Sequence, residues 1–139
     1  MNVSIAGGEA ASEALTALLN SGSLVFFTGS LPATPETAAT GTALVTFAFT
    51  STAFTTTHVT TPSPAVVATA NFTNASVSPT ASGTAGFARG FESGGTVAVA
   101  DFTVGVSGSG ADITLGSTTI ATGVPVDLSS LTITLPSVL

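Results

Sequence analysis

Cysteine, tryptophan, tyrosine and lysine are all missing from this chain of 139 residues, and arginine, histidine and methionine occur once each. Without cysteine there is no disulfide, no thiol nucleophile and no thiolate metal ligand. His58 is the single imidazole, so the His and Cys set of a typical zinc site cannot be assembled. A Ser-x-x-Lys nucleophile and the Gly-rich P-loop that grips a nucleoside triphosphate both need a lysine that is not there. With one Arg, no Lys and a net charge of −6, the chain has no cationic surface to displace counterions from nucleic acid. The same shortage removes polybasic contact with anionic lipid headgroups. A carbohydrate platform usually displays Trp or Tyr, and neither is available.

Long hydrophobic runs are absent too. Mean hydropathy is +0.65, yet Thr, Ser, Gly or Pro interrupts every apolar stretch before it reaches the 18 residues a membrane helix requires. The N-terminal segment has no basic region, and Glu9 and Glu13 break what would be the apolar part of a signal peptide. These features predict a soluble protein made in the cytoplasm without export, with no nucleic acid and no membrane among its partners.

What is present is strand and turn material. Hydrophobic residues reach 44%, whereas charged residues are 6% against about 25% in ordinary domains. Thr, Ser, Gly and Ala occupy the vacated places, and 15 Gly with 7 Pro supply turns. A chain this long can bury about 68% of its unfolded surface, which suffices for one self-sufficient core. Residues 8–20 are the one helical candidate: Ala11, Leu15, Leu18 and Leu19 form an apolar stripe, Glu9 and Glu13 sit near the positive end of the dipole, and Asn20-Ser21-Gly22 stops the helix. Such a helix packs on the edge of a sheet or serves as an arm reaching a neighbouring subunit.

Nine short strands are expected after Gly22, at 24–28, 44–50, 65–72, 86–92, 96–106, 112–115, 118–120, 126–128 and 131–135. Val45, Phe47 and Phe49 alternate with Thr46, Ala48 and Thr50, which buries one face and lines the other with Thr. Residues 50–64, with Thr55-Thr56-Thr57 and Pro62-Ser63-Pro64, are expected to form a long surface loop. The predicted fold is all-β, an antiparallel β-sandwich or jelly-roll-like domain over residues 23–139, preceded by an N-terminal arm with one short helix over residues 1–22.

Candidate chemistry is sparse. His58 falls in the expected loop with no carboxylate beside it in sequence, and Glu36, Glu92, Asp101, Asp112 and Asp127 lie mostly in or beside turns, where a solvated or turn-capping role is ordinary. Asp112 and Asp127 lack the spacing of a calcium loop. Arg89 is more informative. In the hairpin around Ser93-Gly94-Gly95, Phe87, Arg89 and Phe91 share one face; a three-residue loop pairs Arg89 with Val99 and sets Asp101 diagonally across on that face, whereas a two-residue loop sets Asp101 opposite Ala88. A structural ion pair with Glu92 or Asp101 is the expected role. No catalytic residue, cofactor-binding residue or metal ligand is assigned, no cofactor is implied, and the chain is read as a non-enzyme.

The segment at 24–45 couples an apolar strand to Phe27-Thr28-Gly29, then Pro32-Ala33, an Ala-rich loop, and Gly41-Thr42-Ala43-Leu44. Further on come Thr84-Ala85-Gly86-Phe87-Ala88-Arg89, Asp112-Ile113-Thr114-Leu115, Gly123, Leu131-Thr132-Ile133-Thr134 and Pro136. This pattern resembles a signature of small β-rich virion proteins from tailed bacteriophages, with Phe27 where Tyr is common. The resemblance implies a virion structural protein, assembled in the host cytoplasm. In that setting a surface without ionic side chains favours closed symmetric assembly. The expected role is a capsid decoration or cement protein that binds the outside of the head as a small homo-oligomer such as a trimer, with the major capsid protein as partner. The alternative is a tail, spike or fibre module for host adsorption, using residues 30–42 and 50–64 as exposed loops.

Overall fold

The computed structural model describes residues 4–59, 65–128 and 131–136. A single helix, α1 (Ile5–Ala17), opens the chain. Ser4 caps it: backbone at φ −68° and ψ 163° is extended, and its Oγ accepts a 3.1 Å hydrogen bond from the Gly7 N–H. That cap sets the helix three residues earlier than the 8–20 expected, which leaves Glu9 and Glu13 beyond the first turn. The packing face differs as well. Gly8, Ser12 and Thr16, spaced by four, are the buried row, while Ala11 and Leu18 face solvent and Leu15 is half-buried. Small residues win that face because they let the helix backbone approach the sheet; Leu19, just past the helix, then fills the core with no exposed surface. Ser21 at φ 56° and a Gly22 N–H donated to the Leu19 carbonyl end the turn.

The strands are β1 (Ser23–Thr28), β2 (Ala43–Val59), β3 (Ala65–Phe72), β4 (Ser76–Val77), β5 (Gly83–Phe91), β6 (Ala98–Val106), β7 (Ile113–Leu115), β8 (Thr119–Ile120), β9 (Val126–Asp127) and β10 (Thr132–Pro136). The main sheet runs β10-β3-β2-β1-β5-β6-β7, with β8 paired to β5, and β4 with β9 forms a separate ribbon. All pairings are antiparallel except β6 with β7. Together they make the expected all-β, sandwich-like architecture with one short helix. Among the described residues no helix is long and apolar enough to cross a membrane.

The largest departure from expectation is β2. The segment expected as a loop from Thr50 continues as strand to Val59, and residues 60–64 lie outside those described. The first half of β2 pairs with β1 from Ala43 to Ala48; the second half pairs with β3, Phe54 opposite Ala70 through Val59 opposite Ala65. Between Phe49 and Phe54 the register shifts, and this irregularity lets one strand serve two wings of the sheet. Thr and β-branched residues tolerate a half-exposed ladder position, so the Thr run that reads as a loop is equally good edge-facing strand.

Side chains from both wings meet in one core. Leu24, Phe26, Leu44 and Phe47 from the first wing, Phe54 and Ala68 from the second, and Ala88, Phe102 and Ile113 beyond them belong to the same buried cluster. Aromatic edges tie it together: Phe26 meets Phe47 at 5.7 Å and 65°, and Phe49 stacks on Phe72 at 4.9 Å. Each such ring, fully buried, contributes about 1.5–3 kcal/mol. The outward positions Thr46, Thr55, Thr69, Thr103, Thr114 and Thr132 are exposed, giving the threonine-lined surface the alternation predicts.

Candidate functional site

The chemistry-bearing residues converge at the β1-β5-β6 wing. There β1 and β5 pair with Phe26 opposite Ala88, and β5 pairs with β6 with Arg89 opposite Asp101. The hairpin connection runs over residues 92–97, longer than either loop length considered from sequence: the Glu92 N–H donates to the Val97 carbonyl and the Gly95 N–H to the Glu92 carbonyl. Against the three-residue loop, this moves the register by two positions, so Arg89 faces Asp101 directly instead of Val99. A two-residue shift preserves the face, so the three-residue alternative places both charges on the correct side although its loop length differs, and the two-residue alternative does not.

The pair is bidentate. Arg89 Nε donates to Asp101 Oδ1 at 2.6 Å and Nη2 to Oδ2 at 2.9 Å, with the two side chains only 4% and 6% exposed. Nη1 donates to the carbonyl oxygen of Thr37 at 2.8 Å, and the guanidinium carbon lies 5.9 Å from the centroid of the Phe87 ring. The hydrogen-bonded Asp101 carboxylate holds the guanidinium above its usual pKa against the opposing effect of burial, and the charge of Glu36 adds to the rise. A pKa raised on folding contributes stability that is complete below the unfolded value and is lost only as pH climbs through the folded one. Arg89 therefore stays charged, and its contribution constant, at every pH near neutrality.

Thr37 belongs to the connection between β1 and β2, so the chain's one cation ties this loop down onto the sheet. The loop's ends are fixed independently. The Thr28 N–H donates to the Thr42 carbonyl, and the Thr42 N–H to Thr28 Oγ1 at 2.9 Å. A Cβ on Gly41 would collide with the Thr28 carbonyl oxygen, and one on Gly86 with the carbonyl oxygen of Gly29. The Thr-Gly corner, the Gly-Thr at 41–42 and the Thr-Ala-Gly of β5 are thus three parts of one crowded crossing, where only hydrogen atoms fit between backbones. Within the loop the Thr37 N–H bonds back to the Thr34 carbonyl. Sequence reasoning missed this coupling, because the loop's partner lies 52 positions away and is reached through a backbone carbonyl that any residue could supply.

Other candidates are dispersed. Asp112 accepts from both the N–H and the Oγ of Thr103 through Oδ2, at 3.0 Å each, while its own N–H donates to Thr103 Oγ1. This reciprocal clamp holds β7 parallel beside β6 across a connection of only residues 107–112. His58 lies within β2 opposite Val66, a strand position and not the loop expected for it. Glu36 is exposed on the loop beside Arg89, and Asp127 is exposed in β9. Among the described residues, no three His, Asp or Glu side chains come together as a metal site.

No family model, curated protein or solved structure matches the chain. The glycines and threonines of the 24–45 segment build the crossing, and Arg89 fastens the loop.

Proposed function

We propose that this protein is a structural component of an assembled particle, a decoration or cement subunit that binds the outer surface of a phage head and stabilises the shell. One observation carries the reading: Thr28, Gly41, Thr42, Gly86 and Arg89 of the sequence signature are occupied in holding the architecture, with Arg89 matched by Asp101 and Thr37 at the centre. What they leave for partners is a surface of threonine, serine and apolar side chains with a few scattered carboxylates. A surface of this kind suits broad, close-packed contact with other protein, where interfaces of about 1,200–2,000 Å² give specific attachment. Binding to the assembled shell alone adds RT ln(1 + [L]/Kd) per site to its stability.

The adsorption reading asked for exposed loops at 30–42 and 50–64, of which 30–42 is mostly exposed and 60–64 lie outside the described residues. Residues 50–59 are strand and the 30–42 loop is pinned at Thr37 and at both ends, which favours decoration over receptor capture. The test is copy number with particle stability. Hundreds of copies per head, and heads that burst at lower temperature without the protein, are the expected results. Three to eighteen copies confined to a tail or vertex, or equal burst temperatures with and without it, would remove the decoration role.

A further inference from the structure

A groove of about 440 Å³ opens between the 35–39 part of the β1–β2 connection and the β5–β6 hairpin. Ala38, Ala39, Phe91 and Val97 supply apolar lining, and Glu36 and Arg89 line it as well. Its volume falls within the ~300–1,000 Å³ of small-ligand sites. Val97 is 54% exposed, a large apolar side chain without cover.

The charges around this groove decide what fits it. An anion would seek Arg89, but both oxygens of Asp101 already neutralise that guanidinium, and a second carboxylate, Glu36, flanks it. One negative charge remains. Among the described residues the Glu36 carboxylate has no hydrogen-bond partner, and it belongs to an exposed residue. The groove thus combines an uncompensated carboxylate, an aromatic ring and an aliphatic wall, which together match a side chain with an apolar stem and a cationic head.

We propose that the groove docks a lysine or arginine side chain of a different protein, the stem along Val97 and Phe91 and the cation at Glu36. A second copy of this chain cannot supply that side chain. The sequence contains no lysine, and its single arginine is buried in the pair with Asp101. The partner's chemistry therefore follows from this chain's own composition: contacts with its own kind must be apolar and hydrogen-bonded, whereas a basic contact in this groove marks a heterologous partner. The inference stands on the groove alone and does not depend on the particle reading.

The experiment is a titration of the isotopically labelled full chain with capped tripeptides of sequence Ala-X-Ala, where X is lysine, arginine, norleucine or glutamate. Backbone amide shifts are followed at low and at 0.5 M salt. The lysine and arginine peptides are expected to shift residues 35–39 and 96–98, with the affinity falling as salt rises. Glu36→Gln, an exposed change that leaves the fold intact, should weaken the lysine peptide about two- to fivefold at low salt. Val97→Ala should weaken lysine and norleucine peptides alike. Norleucine binding as tightly as lysine, shifts confined to another surface, or no shift at millimolar peptide would each overturn the proposal.

Discussion

The wing around Arg89 and the wing under α1 bury polar groups in opposite ways. At Arg89 an ion is taken out of water and donates three hydrogen bonds, two to Asp101 and one to the Thr37 carbonyl. Under α1 the groups are small and neutral: Thr16 Oγ1 turns back to the Ser12 carbonyl at 2.8 Å, while the Ser12 hydroxyl is fully buried and meets no partner. The first arrangement fixes a loop at a defined place. The second merely lets a helix come close, at the cost of one idle hydroxyl. A chain with a single cation has put it where position matters and has used serine and threonine where only size does.

The sharpest way to break this contrast is to remove the cation alone. Arg89→Ala leaves Asp101 buried and unmatched and should cost about 3–5 kcal/mol in urea unfolding. Replacing both partners, as Arg89→Met with Asp101→Leu, should recover most of that loss, because well-packed apolar substitutes often equal a buried ion pair. A double variant as unstable as the single one would mean that the pair itself, and not the stranded charge, holds the wing together.

Next in size is Gly86→Ala, which drives a methyl into the Gly29 carbonyl oxygen and should lower stability by about 1–3 kcal/mol, seen as a reduced thermal midpoint. The α1 wing should respond in the other direction. Ser12→Ala deletes an unsatisfied hydroxyl and improves helix propensity, so a gain of about 1 kcal/mol is expected. A loss there would show that the hydroxyl has a partner and that the two wings differ less than described. Smallest is Ser4→Ala, expected to cost about 0.5 kcal/mol as the exposed cap of α1 is lost, with amide exchange rising in the first turn only.

Much of the fold is legible in sequence. Alternating Phe and Thr in β2 and the Gly, Pro and Ser breaks mark nine of the ten described strands, the short β4 being the one not expected. Of the two hairpin loop lengths considered, the odd one puts Arg89 and Asp101 on one face, as the structure does. What sequence does not reveal arises from tertiary contact. The Thr run after Thr50 becomes strand because β3 is there to pair with it, and the buried row of α1 is Gly8, Ser12 and Thr16 because closeness to the sheet outweighs hydrophobicity. The loop that covers Arg89 is attached through a carbonyl, a group present at every position and so silent in any pattern.

The account's central claim is that Arg89 serves as an internal fastener for the 30–42 loop. Hydrogen exchange in the Arg89→Met, Asp101→Leu variant tests it most directly, since this variant should keep the sheet. The prediction is that β1, β5 and β6 amides and the Thr42 amide exchange as in the unaltered protein while protection over residues 34–39, the Thr37 amide above all, is lost. Unchanged protection in that loop would contradict the claim.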